Sequence, residues 1–254
     1  MMVRSRLSIL VVAVLIATLL SFPAPGSTRS WRNVINDQFT AGTRVPAHWG
    51  LYSGRYGSGQ RNCASPRQVF VNSHGYLVLR ESYRRTGKCG AGWYTGGMKI
   101  AAAYKGVDQR ITLRFRRVGT IHSHRNIPMF WDSDDRYSAH QVEADFCEGE
   151  SSTGCATFLH YGATNRQISH AYTVDQNTWH TYRFIIRDHL VRAFVDGRVR
   201  WDYHGTSFTI PDARRRLVLQ QECAYTGTHT CPKGTTGQER IQIDWLKLDH
   251  LVSS

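Results

Sequence analysis

Apolar side chains recur at every second position along most of this chain, and that period leaves little room for anything but β-strands. Ile111-Thr-Leu-Arg-Phe-Arg116 alternates strictly, and Tyr76-Leu-Val-Leu-Arg80 also has apolar residues at every second position. Successive residues of a strand point to opposite faces, so such a segment buries one face and wets the other. The same signal returns at Ala156–Tyr161, Tyr182–Ile186, Leu190–Val195, Leu217–Gln221 and Ile241–Leu248. Asp196-Gly197 is a strong hairpin turn into Arg198-Val-Arg-Trp201. No segment carries a convincing helical period. Short strands at regular spacing, separated by Gly and polar turns, predict an all-β sandwich or jelly roll. At 254 residues one large β-domain suffices. Neither a repeat nor a linker divides it.

The N-terminus reads as a targeting segment. Arg4 and Arg6 precede an apolar run from Leu7 to Leu20, and Phe22-Pro-Ala-Pro-Gly-Ser27 supplies a breaker and small residues. That run spans about 21 Å as a helix, short of the roughly 20 residues that cross a bilayer. Residues 1–30 are therefore expected to be a cleaved secretory signal, with an uncleaved anchor as the alternative. The six cysteines all lie beyond it, which fits an oxidising, extracellular compartment. Proximity favours Cys63–Cys89, Cys147–Cys155 and Cys223–Cys231, although six cysteines allow fifteen pairings. No Cys-x-x-Cys spacing supports zinc.

The formal net charge is +13. Such a balance suits acidic surroundings: nucleic acid, an anionic wall or an acidic polysaccharide. The densest run, Arg214-Arg215-Arg216, is short and no nucleic-acid-binding motif accompanies it. A solvated basic surface is the better reading, with no nucleic-acid partner.

Against that background, Glu143-Ala-Asp145-Phe-Cys-Glu148 stands out, with three carboxylates in six residues. On a strand Glu143 and Asp145 share a face, and Val142, Ala144 and Phe146 take the other. Glu148 is at an odd offset from Glu143 and would point the wrong way. One extra residue near Phe146-Cys147, a β-bulge, would bring it back. Like charges on one face cost stability, so the arrangement implies chemistry. Glycosidic hydrolysis needs a carboxylate and a carboxylic acid in one cleft.

The flanking segments carry a resemblance. Pro128-Met-Phe-Trp131 precedes the acidic motif and Thr157-Phe-Leu-His160-Tyr161 follows it. Trp179-His-Thr-Tyr182, Val195-Asp-Gly197 and Ile243-Asp-Trp245 come later, in order. Together with Glu143-x-Asp145-x-x-Glu148 these resemble glycoside hydrolase family 16, the β-glucanase, laminarinase and agarase group. Coverage runs from about Asp37 to Leu248. The resemblance implies a concanavalin A-like jelly roll, with residues 31–254 as the catalytic domain. It implies Glu143 as nucleophile, Glu148 as general acid/base and Asp145 as the assisting carboxylate. Trp131, His160 and Gln220 are expected to contact the sugar, with Gln221 as the alternative to Gln220. Three departures from the family pattern bear on substrate identity: Ala144 in place of a branched aliphatic, Cys147 at the bulge, and a thinned Trp-Pro approach at Asn126–Asp132.

No cofactor is expected for catalysis. The family often carries a structural calcium on its convex side, and Asp244 matches that carboxylate position. The expected activity is retaining, endo-acting hydrolysis of a β-linked polysaccharide, with β-1,3-glucan as the default, by a secreted monomer. The rivals are a non-catalytic sugar-binding module of the same fold, a transglycosylase using the same residues, and a basic protein that binds nucleic acid or an anionic wall polymer.

Overall fold

The computed structural model describes residues 28–56, 62–119, 124–132, 142–149, 152–222 and 237–253. In chain order the strands are β1 (Arg29–Gln38), β2 (Trp49–Leu51), β3 (Gly54–Tyr56), β4 (Asn62–Ala64), β5 (Val69–Val71) and β6 (Leu77–Arg84). Then come β7 (Gly92–Thr95), β8 (Gly97–Ile100), β9 (Gln109–Gly119), β10 (His124–Asp132), β11 (Val142–Gly149) and β12 (Gly154–Tyr161). The last are β13 (Arg166–Thr173), β14 (His180–Arg187), β15 (Leu190–Val195), β16 (Arg198–His204), β17 (Arg215–Glu222) and β18 (Gln238–Ser253). Among the described residues the only helical turns are 3-10, at Pro66–Gln68 and Ala102–Tyr104.

They form two facing sheets. The outer one has eleven strands in the order β16-β15-β14-β9-β18-β6-β7-β4-β3, with β1 on β18 and β5 on β6. The inner one has seven, β13-β12-β11-β10-β17-β8-β2. Nearly all neighbours are antiparallel; β4 and β7 run parallel. This is the all-β sandwich that the alternation predicts.

Alternation sets the core. Ile111, Leu113 and Phe115 of β9 and Ile241 and Ile243 of β18 are fully buried, facing Phe130, Ala144, Leu159, Leu217 and Leu219 of the inner sheet. An aromatic column crosses the sandwich. Phe130 meets Phe146 edge-on at 5.6 Å, Phe146 stacks on Phe184 at 4.5 Å, and Tyr182 lies 4.1 Å from Phe115. Offset or edge contacts of this kind add about 0.5–1.5 kcal/mol each beyond area burial. Phe146 belongs to the acidic motif, so the column ties that strand to the opposite sheet.

Two hairpin turns flank β15. Asp196-Gly197 has φ of 49° and 78°, the left-handed pair of a tight hairpin. Asp188-His189 makes a comparable turn with φ of 30° and 61° and no glycine. Disulfides join Cys63 to Cys89 and Cys147 to Cys155, both as sequence proximity favours. Cys223, Cys231 and Glu150 lie outside the described residues, as does most of the expected signal segment. β1 already begins at Arg29, two residues inside the span expected to be cleaved.

Phe184 lies on β14, in the outer sheet, and is fully buried beneath the acidic strand. Replacing it with Ala should lower unfolding free energy by about 3–5 kcal/mol, read from the denaturant midpoint.

Candidate functional site: four carboxylates around a bulged strand

The local register explains how the acidic strand presents its side chains. Between β11 and β12, Asp145 faces Phe158 and Glu148 faces Ala156, so three residue steps on β11 match two on β12. That is the expected bulge. Between β11 and β10 there is no slip, because Asp145 faces Met129 and Glu148 faces Asn126. The slip reappears between β10 and β17, where Met129 faces Val218 and Asn126 faces Gln220. The extra residue therefore runs through both central strands, flanked by β12 and β17, which carry no insertion. Pro128 sits in this irregular stretch of β10, where its missing N–H breaks no regular ladder.

The bulge turns both Phe146 and Cys147 into the core and returns Glu148 to the face of Asp145. It also takes the Phe146 carbonyl out of the regular ladder. Two hydroxyls satisfy that oxygen: Thr157 donates at 2.7 Å and Tyr172 at 3.0 Å. Burial pushes the Tyr172 phenol far above its usual range, so it stays a donor. The Cys147–Cys155 bridge pins the same point to β12. Ala144 is fully buried beneath the strand, opposite Phe130 and Leu159.

On the cleft face the carboxylates converge. Glu143, Asp145 and Glu148 are 9%, 1% and 7% exposed, and a fourth, Glu222, is 5% exposed. Asp145 is the group whose acidity is most altered. Burial first, then the charges of Glu143, Glu148 and Glu222, raise its pKa well above the ordinary range, and its hydrogen bond with Glu143 acts the same way. Of the four, Asp145 is thus the carboxyl readiest to hold a proton, and its hydrogen bond with Glu143 is where that proton lies. Sharing a proton lets these carboxyls sit together without full charge repulsion.

His160 faces Glu143 across the β11–β12 ladder, and its Nε2 is 3.6 Å from Asp145 Oδ2. Burial lowers its pKa, with Glu148 and Asn165 opposing that shift, so the imidazole is neutral. The contact is therefore not an ion pair. Ligand atoms of Asp145, Glu148 and His160 lie within 4.8 Å of one another, close enough for a divalent cation in principle.

Gln220 faces the cleft and its amide donates to Glu222 at 2.8 Å, whereas Gln221 turns to the core side and is fully buried. Trp131 is half-buried, opposite Arg216 of β17. It sits two positions beyond Met129, which shares Asp145's face, so it flanks Glu143.

Two features escape sequence reasoning. Glu222 is one alternation step from Gln220, and that step alone could have marked it. Tyr52 lies over Gly97, where a Cβ would come within 2.6 Å of its ring. Gly97 faces Gln220, so a bare backbone seats an aromatic wall three strands from Glu148. Nothing in the local sequence signals this contact.

Asp244 sits elsewhere, at a bulge in β18 on the outer sheet, where its carboxylate takes the Arg114 guanidinium. A guanidinium already in that place does not fit a calcium ligand set, and no role is assigned to calcium.

No protein-family model matches this chain, and no curated protein matches it. Solved structures do match in fold. The laminarinase catalytic domain of Thermotoga maritima aligns over 87% of this chain and 98% of its own, at 15% identity and a TM-score of 0.70. A non-specific endo-β-1,3(4)-glucanase from family GH16 aligns over 90% and 93%, at 16% identity and 0.71. The endo-β-1,3-glucanase of Pyrococcus furiosus aligns over 88% and 96%, at 13% identity and 0.69. At such identities the likeness establishes the jelly-roll fold over nearly the whole chain.

Because folding raises Asp145's pKa, the native chain holds a proton that the unfolded chain releases above the ordinary carboxylate range. This group's contribution to stability is full below that range and is lost as pH rises through the folded pKa. Asp145→Asn removes the penalty. Its melting temperature should exceed that of the unsubstituted protein at about pH 8, and the difference should vanish towards about pH 4.

Proposed function

We propose that this chain is a secreted glycoside hydrolase of the family 16 type, cleaving β-glycosidic bonds within a glucan chain with retention of anomeric configuration. The observation that carries this reading is the set of three buried carboxyl groups, Glu143, Asp145 and Glu148, that a bulge has put on one face, with Asp145 between the two glutamates made the readiest to hold a proton. Retaining hydrolysis requires two carboxyl groups with different protonation acting on one sugar.

Glu143 is the nucleophile. The Asp145 proton on its second oxygen orients it and holds it as an anion. Its free oxygen attacks the anomeric carbon while Glu148 gives its proton to the leaving glycosidic oxygen, and the C–O bond breaks. Glu148, now a carboxylate, takes a proton from water as that water displaces Glu143, which restores both groups. Neutral His160 and Gln220 supply hydrogen bonds to sugar hydroxyls, and the faces of Trp131 and Tyr52 stack on pyranose rings. Met129 and Phe158 pack on either side of Asp145 and keep water from it, which sustains its raised proton affinity.

The β-1,3-glucan choice leans on the laminarinases among the fold relatives. An oxidising extracellular location, reached through the N-terminal segment, is consistent with the two disulfides. The protein is expected to work as a monomer.

Reducing-sugar release from laminarin tests the reading. Glu148→Gln should reduce turnover by about 10²–10⁴-fold, the usual share of a general acid. Glu143→Gln should reduce it at least as far. Nuclear magnetic resonance of the first product should show the β-anomer. Inversion, or activity surviving in both variants, would reject the mechanism. A chelator should leave turnover unchanged, because glycosyl transfer by two carboxyl groups uses no metal.

A further inference from the structure

The excess positive charge is not spread evenly. On the outer sheet, on the face away from the core, Arg80 of β6 stands directly opposite Arg240 of β18. Both alternate with fully buried leucine and isoleucine, Leu79 and Ile241. Like charges directly opposite in an antiparallel pair are destabilising, so the sheet keeps this pair at a cost. Arg84, two alternation steps along β6, adds to the crowding. Arg84 and Arg240 both lower the proton affinity of Arg80, on top of its burial.

What holds these guanidiniums is as informative as their closeness. Arg80 Nε donates to Gln68 Oε1 at 2.6 Å, Arg240 donates to Gln238 Oε1 at 2.8 Å, and Arg116 Nε donates to Gln242 Oε1 at 3.0 Å. Each is steered by a glutamine amide, which orients a cation without neutralising it. The remaining contacts are also neutral. Arg80 lies 5.1 Å over Phe70, Arg84 lies 5.5 Å over Tyr94 and Arg116 lies 4.7 Å over Trp179. Among the described residues no carboxylate pairs with any of the four. Their neighbours Arg110 and Arg114 on the same face do have such partners, Asp249 and Asp244. The absence of acid is thus confined to one patch.

A rigid, uncompensated set of guanidinium forks matches planar carboxylates spaced along a polymer. We propose that this patch binds a carboxylate-bearing polysaccharide, a polyuronate, on the face opposite the four-carboxylate cleft. The cleft repels such a polymer and the patch attracts it, so one chain can hold to an acidic matrix while a neutral strand lies in the cleft. The binding does not depend on the hydrolytic reading, and its test needs no turnover.

The probe is polygalacturonate, titrated by calorimetry or affinity electrophoresis, with neutral dextran and double-stranded DNA as comparisons. The wild type should bind it at low ionic strength and weaken as salt rises. The triple variant Arg80→Gln/Arg116→Gln/Arg240→Gln should lose at least about tenfold in affinity. Its melting temperature should hold or rise as the repulsion is relieved, and laminarin hydrolysis should be unchanged. A triple Arg→Lys variant keeps the charge but loses the fork, and should bind more weakly than wild type. It also gives a readout if the glutamine variant fails to fold. Unaltered affinity in either triple variant, no polygalacturonate binding by the wild type, or tighter binding to DNA at equal salt would each overturn the proposal. The Glu143→Gln protein should bind like wild type, which separates failure of this patch from failure of the cleft.

Discussion

One backbone carbonyl organises the candidate site. A regular β-ladder would pair the oxygen of Phe146 with the neighbouring strand, and Glu148 would then face the core. Instead the ladder slips by one residue, and the hydroxyls of Thr157 and Tyr172 accept the task of satisfying that oxygen. A buried unpaired carbonyl costs about 1–3 kcal/mol, so these two hydrogen bonds are what makes the slip tolerable. Phe146 on Phe184 and the Cys147–Cys155 bridge then hold it in place. The carboxylate geometry follows from this local arrangement.

The electrostatics follow from the same burial. Four carboxyls with almost no exposure cannot all be ionised, because charge repulsion and desolvation act together. Asp145 is the most enclosed and has three acidic neighbours, so it takes up the proton. Neutral His160 avoids adding an opposing charge. The strongly basic character of the chain as a whole has little bearing on this cleft. Part of it lies on the far side of the sandwich, where aromatic faces and amides, not acids, steady Arg80, Arg84, Arg116 and Arg240.

Much of this was legible in the sequence because it rests on period-two alternation. Ile111–Arg116, Ala156–Tyr161 and Ile241–Leu248 lie in the strands they predict, and the odd offset of Glu148 announced its bulge. Asp196-Gly197 announced its turn, whereas Asp188-His189 did not, because two non-glycine residues at positive φ leave no compositional mark. The matching irregularity in β10 was also hidden, since a strand's register depends on its neighbours. Tyr52 reaches Gly97 from just beyond the end of β2, and Arg114 reaches Asp244 across the β9–β18 ladder. Such contacts join residues far apart in the chain, so the local pattern says nothing about them. The very short strands β2 to β5 carry too few residues to show a period at all.

The doubled bulge has a consequence for how this architecture tolerates change. The facing direction of Glu148 is set by a count of residues between it and Asp145, not by the identity of those residues. A side chain exchanged within that stretch alters packing by degrees. A single residue lost there takes out the extra residue itself: the spacing becomes even, β11 pairs regularly with β12, and the insertion left in β10 has nothing beside it to match. Register, more than chemistry, is what this stretch depends on, and a change of length there is all-or-none where a change of composition is gradual.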